Sequence, residues 1–426
     1  MNRLCKFKKD EYFLMKIFFA AIVLTAAFAV FRGFITNGRS NQWFLFADTN
    51  DAFMDFFNSV YDASFKNPYS QRGVIYPPLS YCIYKIFVSL IPSYAFLPGS
   101  FALRNFSYAA IYYFIFSLIQ FAVFVKLIAK LYDKGNKQNK MLCVCVSLSA
   151  PILFCIDRGN LILLSLICVL WFFLFKDSKN KYLCESSLIL LAVAANLKIY
   201  PAVFGLILLG DGFKNNTKNL KKLCRLIIYG IVLFLVPFMF TGGFSGIFSL
   251  INNILNTSSS FSFSYGLKVN ISNFFGYLGH LTGLSLFNII SSLSVPVFAA
   301  ILLSAFFLLK CNWKKVLSLS LMSVLLPGFS YMYSLIFLIP ALILFFKEEK
   351  RLCANTYIYL VLMTCCFIYY PFNFLKITPF LATGLSGHGL YEVTAWNLVS
   401  SICLIVMTVL LFIDGIKTIK NNKTII

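Results

Sequence analysis

Apolar runs of about 17 to 22 residues recur along this chain from near its start to near its end, and that repetition leaves few folds open. Coiled into a helix, each run is long enough to cross about 30 Å of hydrocarbon. Inside a bilayer every backbone N–H and C=O needs a partner within the chain, which makes repeated spans of this kind α-helical. A composition 60% hydrophobic and 12% charged excludes a soluble globule. The expected fold class is all-α, a polytopic integral membrane protein.

About twelve spans fit, at roughly residues 12–32, 105–129, 141–156, 161–176, 183–197, 201–212, 225–241, 290–309, 316–328, 331–346, 353–370 and 394–415. The first follows the basic start Arg3, Lys6, Lys8 and Lys9. No convincing small-residue cleavage site ends it, and many equally apolar runs follow, so it reads as a retained helix rather than a removed signal. The net charge of +22 suggests nucleic acid until its distribution is considered. Lysines and arginines gather in short segments between apolar runs: Lys130 to Lys140, Lys176 to Lys181, Lys214 to Arg225, Lys310 to Lys315, Lys347 to Arg351 and Lys417 to Lys423. Such clusters mark cytoplasmic loops, and with both termini cytoplasmic, alternate crossings put all of them inside. The 13 cysteines are scattered, mostly in apolar runs, with neither a disulfide framework nor zinc spacing.

One segment resists this threading. Leu79 to Ile91 is apolar but only about 13 residues long, holds Lys85 and follows a Pro-Pro pair. Counted as a crossing it would push the later basic loops outside, so it reads as interfacial or re-entrant. Residues 33–104 then form one large external loop with short interfacial helices, and 242–289 a second. No internal repeat or attached soluble domain is evident, and 1–426 reads as a single transmembrane domain.

Chemistry-bearing residues concentrate on the external side. Of 15 acidic residues, four (Asp48, Asp51, Asp55 and Asp62) fall in the first loop. On a helix their steps of three, four and seven share one face. Either an amphipathic helix turns its acidic side to water, or one carboxylate faces a cleft as a general base. Tyr76-Pro77-Pro78-Leu79 dictates an extended approach and a helix start. Lys85 either snorkels or meets an anion. Asp157-Arg158-Gly159-Asn160 is a tight polar turn, either salt-bridged in itself or presenting Arg158 to a phosphate. Lys198 lies outside, against the positive-inside bias, and suits an anion contact. Ser258 through Asn273 is rich in hydroxyls and amides, suited to a polyhydroxylated ligand or simply to a polar loop. His280 and His388, the two histidines, build no metal site, although the clustered aspartates leave a divalent ion open.

The order of these motifs resembles glycosyltransferase family 87. The resemblance rests on Asp55-Phe56-Phe57-Asn58-Ser59-Val60-Tyr61, Tyr76-Pro77-Pro78-Leu79, Arg158-Gly159-Asn160-Leu161 and Leu197-Lys198-Ile199-Tyr200-Pro201. It implies the GT-C architecture and an inverting transfer of a hexose, with mannose the family's usual sugar. The donor would be a polyprenyl-phosphate sugar, and the acceptor a glycolipid or cell-envelope glycan at the outer face. No organic cofactor and no resident metal are implied. Carried over by motif, the catalytic base falls on Asp55, with Asp51 the fallback, and Lys198 takes the place of the lysine in the Lys-x-Tyr-Pro turn. Arg158, Arg104 and Lys85 are the further candidates for the donor phosphate. Asn160, Tyr200, Asn270 and Tyr333 are the candidates for substrate binding. Tyr333, in Ser330-Tyr331-Met332-Tyr333, stands where the family carries a histidine.

Two other readings compete. A flippase or transporter for lipid-linked oligosaccharide would need charges within the spans and usually repeated halves. A surface-polysaccharide polymerase would be expected to rely on external arginines in a later loop, whereas 242–289 holds Lys268 and no arginine.

Overall fold

The computed structural model of the chain describes residues 13–43, 52–71, 73–210, 217–260, 268–350, 353–371 and 394–423. After α1 (Phe13–Ile35) come α2 (Met54–Ser64), α3 (Pro78–Leu90) and α4 (Ser100–Asn105). There follow α5 (Ser107–Tyr132), α6 (Asn136–Ser147), α7 (Ala150–Arg158), α8 (Ile162–Phe175), α9 (Lys181–Leu197) and α10 (Thr217–Leu235). Next come α11 (Gly243–Ser260) and α12 (Ile271–Thr282). The chain continues through α13 (Ser285–Leu308), α14 (Asn312–Leu325), α15 (Ile339–Glu348), α16 (Ala354–Phe367) and α17 (Ala395–Lys423). Short 3-10 segments join several of them, and among the described residues extended pairing is limited to one isolated bridge, Lys268 with Tyr331.

The fold is all-α, as expected, and the long apolar helices identify a membrane protein. Helix length does not confirm the twelve spans read in the sequence. Among the described residues five helices are long and apolar enough to cross: α1, α5, α10 with its 3-10 extension to Phe240, α13 and α17. The pair α6 and α7, bent by 53°, makes a sixth if counted as one span. Elsewhere apolar composition outruns helix length. The run expected to span 201–212 is the 3-10 segment Tyr200–Leu209, opened by Pro201, and the run at 331–346 is a 3-10 turn that becomes α15 only where Pro340 permits a helix start.

Two compact units divide the chain. The first comprises 1–47, 128–154 and 263–426; the second comprises 48–127 and 155–262. In the first unit α13 packs against α12, α14 and α17, and α1 packs against α6 and α16. In the second, α2 packs on α3 and α4, α3 packs on α9, and α9 lies between α8 and α10.

The segment that sequence marked as too short to span is α3, 13 residues long. Its entry follows from the prolines: Pro77 is extended (φ −56°, ψ 151°) and Pro78, lacking an N–H that the first turn would leave unbonded anyway, begins the helix. The chain ahead of it is pinned from α11, where the Asn253 amide donates to the carbonyls of Tyr69, Gln71 and Val74 at 3.0, 3.0 and 3.1 Å. The Tyr69 hydroxyl then donates to the Tyr76 carbonyl at 2.9 Å. Tyr76 is thus held from both sides.

Candidate active site

The site grows from α2. Its apolar positions Met54, Phe56, Phe57, Val60 and Ala63 are buried, which turns Asp55 and Asp62, seven residues apart, to the other side. Phe56 is the anchor, with ring centroids 5.0 Å from Phe87, 5.1 Å from Tyr113 and 5.9 Å from Tyr84. Burying one such ring contributes about 2–3 kcal/mol, so α2 cannot rotate away without losing that packing. Asp51 and Asp48, expected on the same helical face, lie outside the described residues. The helix begins only at Met54, because Phe53 adopts a left-handed conformation at φ +62°. A bulky residue rarely does so, and here its N–H donates to the Asp157 carbonyl at 2.6 Å. That bond fixes the start of α2 to the end of α7.

The polar turn after α7 closes the arrangement. Helix α7 runs through Asp157 to Arg158 and stops at Gly159, with φ +73°. A Cβ there would stand 3.1 Å from the Phe53 carbonyl oxygen, 3.1 Å from the Tyr113 ring and 3.2 Å from Phe56 Cβ. Glycine meets both demands, the positive φ and the close approach. The turn therefore lies directly against α2. The Arg158 Nη2 sits 2.6 Å from Asp55 Oδ1, and the Asn160 amide donates to Asp55 Oδ2 at 3.1 Å. Asn160 Oδ1 in turn accepts from the Ile162 N–H at 2.7 Å, so the side chain that holds Asp55 is itself tied to the first residue of α8. The Asp55 and Arg158 side chains keep 15% and 22% of their exposure, so the carboxylate is shielded yet reachable.

Lys198 joins this group. It is the residue after α9, buried at 5% exposure, and its Nζ lies 3.9 Å from the Tyr76 ring centroid. The Ser80 hydroxyl donates to the adjacent Leu197 carbonyl at 3.0 Å and couples the turn to α3. Burial lowers the Lys198 pKa to about 8, against the opposing pull of Asp55. Tyr76, half-buried, is driven well above its ordinary value, chiefly by desolvation, with the Asp55 charge and the neighbouring Tyr84 and Tyr200 hydroxyls adding to it. One carboxylate, two cations, an amide and a set of tyrosines thus converge within the second unit.

The remaining sequence candidates separate. Arg104, in the last turn of α4, donates to the Ala52 carbonyl at 3.3 Å and so grips the segment leading into α2. Lys85, half-buried on α3, lies beside the Cys82 thiol. Tyr200 opens the 3-10 turn and reaches the Tyr76 hydroxyl electrostatically. Asn270 and Tyr333 belong to the first unit. Asn270 precedes α12, and Tyr333 stacks on Phe154 with centroids 6.2 Å apart. Sequence reasoning did not single out Phe53, Tyr84 or Tyr113. Tyr113 donates from its hydroxyl to the Ile156 carbonyl and so holds the end of α7 from α5. No local pattern marks these three, because each matters through a contact distant in sequence.

Residues 74–334, more than half of the chain, match the sequence profile of glycosyltransferase family 87. The chain belongs to that family. As a family 87 protein it is a membrane glycosyltransferase, acting on a sugar donor and an acceptor. No curated protein and no solved structure matches it. The matched segment carries Tyr76, Arg158, Asn160 and Lys198. Asp55 lies ahead of it in sequence and is joined to it by the hydrogen bonds from Arg158 and Asn160.

Proposed function

We propose that this family 87 enzyme is an inverting hexosyltransferase of GT-C type that uses a polyprenyl-phosphate sugar, with mannose the first hexose to test. The acceptor is a glycolipid or envelope glycan at the outer face, and both termini are cytoplasmic. The observation that carries the reading is the Asp55 carboxylate, held by Arg158 and Asn160 in the electrostatic reach of the buried Lys198. A carboxylate offers about four lone-pair sites. Two are occupied here, which orients the group and leaves capacity for an acceptor hydroxyl.

In the proposed reaction Asp55 takes the proton of that hydroxyl as its oxygen attacks the anomeric carbon. The new C–O bond forms on the face opposite the phosphate, the anomeric carbon–phosphate oxygen bond breaks, and its electron pair leaves on the phosphate. Lys198 meets the negative charge that develops there, with Arg158 adding to it from beside the base. Arg104 supports the segment before Asp55, and Asn160 and Tyr200 line the substrate. A lipid-borne donor accounts for a chain built of membrane helices, since the sugar arrives already activated.

The test is sugar transfer by the purified full-length protein in detergent, offered polyprenyl-phosphate mannose, polyprenyl-phosphate glucose and a nucleotide sugar with a lipid extract as acceptor. Product configuration is read by NMR. Transfer from a lipid phosphate with inversion is the expected result. Transfer from the nucleotide sugar alone, or retention of configuration, overturns the proposal.

A further inference from the structure

The end of α1 carries a pair of arginines that the proposed reaction does not use. Helix α1 stops at Ile35, and the chain then turns back on it. Asn37 and Gly38 take left-handed backbone at φ +51° and +83°, and the Gly38 N–H donates to the Gly33 carbonyl at 2.8 Å. Thr36 ties the two limbs of this turn together. Its hydroxyl donates to the Arg32 carbonyl at 2.7 Å and accepts from the Ser40 N–H at 3.0 Å. The Asn41 amide packs on Gly33, where a Cβ would stand 2.8 Å from Asn41 Nδ2. The 3-10 turn Arg39–Trp43 is therefore held against the helix, and Arg39 returns to the end that carries Arg32.

Both arginines line one cavity of about 410 Å³, together with Ile35, Thr36, Asn37 and Ser40. That lining holds two positive charges and no negative one. Arg32 by itself is ordinary, because the last turn of a helix favours a cation. Arg39 has no such reason, since it lies past the helix end and adds a like charge to the first. An anion between them offsets the repulsion, and guanidinium pairs with phosphate oxygens through two parallel hydrogen bonds. A second feature says what carries the anion. Leu24, Phe28, Phe31 and Ile35, spaced by four, three and four, share one face of α1, and all four are exposed. Arg32 comes four residues after Phe28 and three before Ile35, on the same side. The apolar face thus runs along a helix long enough to span the membrane and ends at the cavity, which Ile35 helps to line.

We propose that Arg32 and Arg39 hold the phosphate of an anionic phospholipid. The phosphate oxygens lie between the two guanidinium groups, the Asn37 amide meets the polar head group, and an acyl chain runs along Ile35, Phe31, Phe28 and Leu24. Free phosphate would satisfy the arginines and leave that apolar face unused. A choline head group would set its own cation against theirs. The site lies within the first unit and does not rest on the proposed transfer reaction. It makes the end of α1 a place where the enzyme retains a membrane lipid.

The experiment is native mass spectrometry of the full-length protein titrated in detergent with phosphatidylglycerol. Phosphatidylcholine of the same acyl chains and inorganic phosphate serve as comparison ligands. Phosphatidylglycerol should bind saturably and at least about tenfold more tightly than phosphatidylcholine, the scale of one charge-assisted hydrogen bond. Arg39→Gln, at an exposed position, should weaken phosphatidylglycerol by at least about tenfold and leave phosphatidylcholine unchanged. The double variant Arg32→Gln, Arg39→Gln should lose the preference altogether. Lys137→Gln, in another basic segment, should keep it. Thermal unfolding checks each fold, and where the double variant does not fold, Arg39→Gln and Arg39→Glu decide. Absence of the preference, or its persistence through the folded arginine variants, overturns the site. An equal loss in Lys137→Gln overturns it too, by assigning the preference to net charge. Inorganic phosphate that displaces the lipid at equal concentration overturns the lipid as its ligand. Binding alone is read, so a failure of the transfer reaction remains distinct from a failure of this site.

Discussion

Replacing Gly159 by alanine tests the assembly of the Asp55 site at the point where it has least room. The substitution carries two costs. A residue with a Cβ at φ +73° gives up about 1 kcal/mol to the left-handed backbone. The added methyl then meets three atoms at 3.1–3.2 Å, one of them the Phe53 carbonyl oxygen, whose backbone is itself bonded to Asp157 and cannot yield freely. Crowding of this kind costs about 1–3 kcal/mol, for a total of about 2–4. Gly283 supplies a matched comparison, with nearly the same φ of +69° and, among the described residues, nothing within 4 Å of its would-be Cβ, so Gly283→Ala keeps only the backbone cost of about 1 kcal/mol. Because two of the displaced atoms belong to Phe53 and Phe56, which flank Asp55, the crowding also moves the base. A displacement approaching 1 Å costs up to about a hundredfold in rate. Thermal unfolding in detergent and transfer rate, measured on both variants, are the assays. Gly159→Ala should unfold earlier than Gly283→Ala and lose at least about tenfold in rate, while Gly283→Ala stays active. A Gly159→Ala protein as stable as the comparison variant and fully active refutes the packing argument.

Two further predictions concern pH. With Lys198 at about 8, its charge is complete below that pH and fades above it, so kcat/KM for the lipid donor should fall on the alkaline side from about pH 8. Lys198→Arg, which stays charged, should shift that limb upward, and an unmoved limb removes Lys198 from phosphate binding. Burial raises the Asp62 carboxyl to about 7 from an ordinary value near 4. The native state then disfavours its charge: the penalty is absent below about pH 4, grows as pH rises and is complete above about pH 7. Asp62→Asn should therefore raise the unfolding temperature at pH 8 and leave it unchanged below pH 4; an equal gain at both contradicts the burial argument.

How far the sequence carried differs by residue. The start of α3 was legible because proline acts locally, through φ and a missing N–H. Asp55, Arg158, Asn160 and Lys198 were each legible as charged or amide groups set against apolar surroundings, where such groups need a reason. Their meeting was not. Asp55 and Arg158 are 103 residues apart, and nothing in either neighbourhood names the other. The turn at 157–160 read as either salt-bridged in itself or presenting Arg158 to a phosphate, and neither reading names the carboxylate on α2 that Arg158 reaches. The span count was the least legible feature, because hydropathy measures affinity for lipid and not helical length. Tyr200–Leu209 is as apolar as a span, yet it is a ten-residue 3-10 segment.

The central claim is that Asp55 is the base. Its most direct test is the transfer rate of Asp55→Asn beside Asp62→Asn, a carboxylate on the same helix that the mechanism does not use. The amide keeps the size and the hydrogen-bonding position while losing the ability to accept a proton. With both variants folded, the account predicts a loss of at least about a hundredfold for Asp55→Asn, the lower end of what general-base catalysis contributes, and a rate near native for Asp62→Asn. Near-native transfer by Asp55→Asn would contradict it and return the base to Asp51 or Asp48.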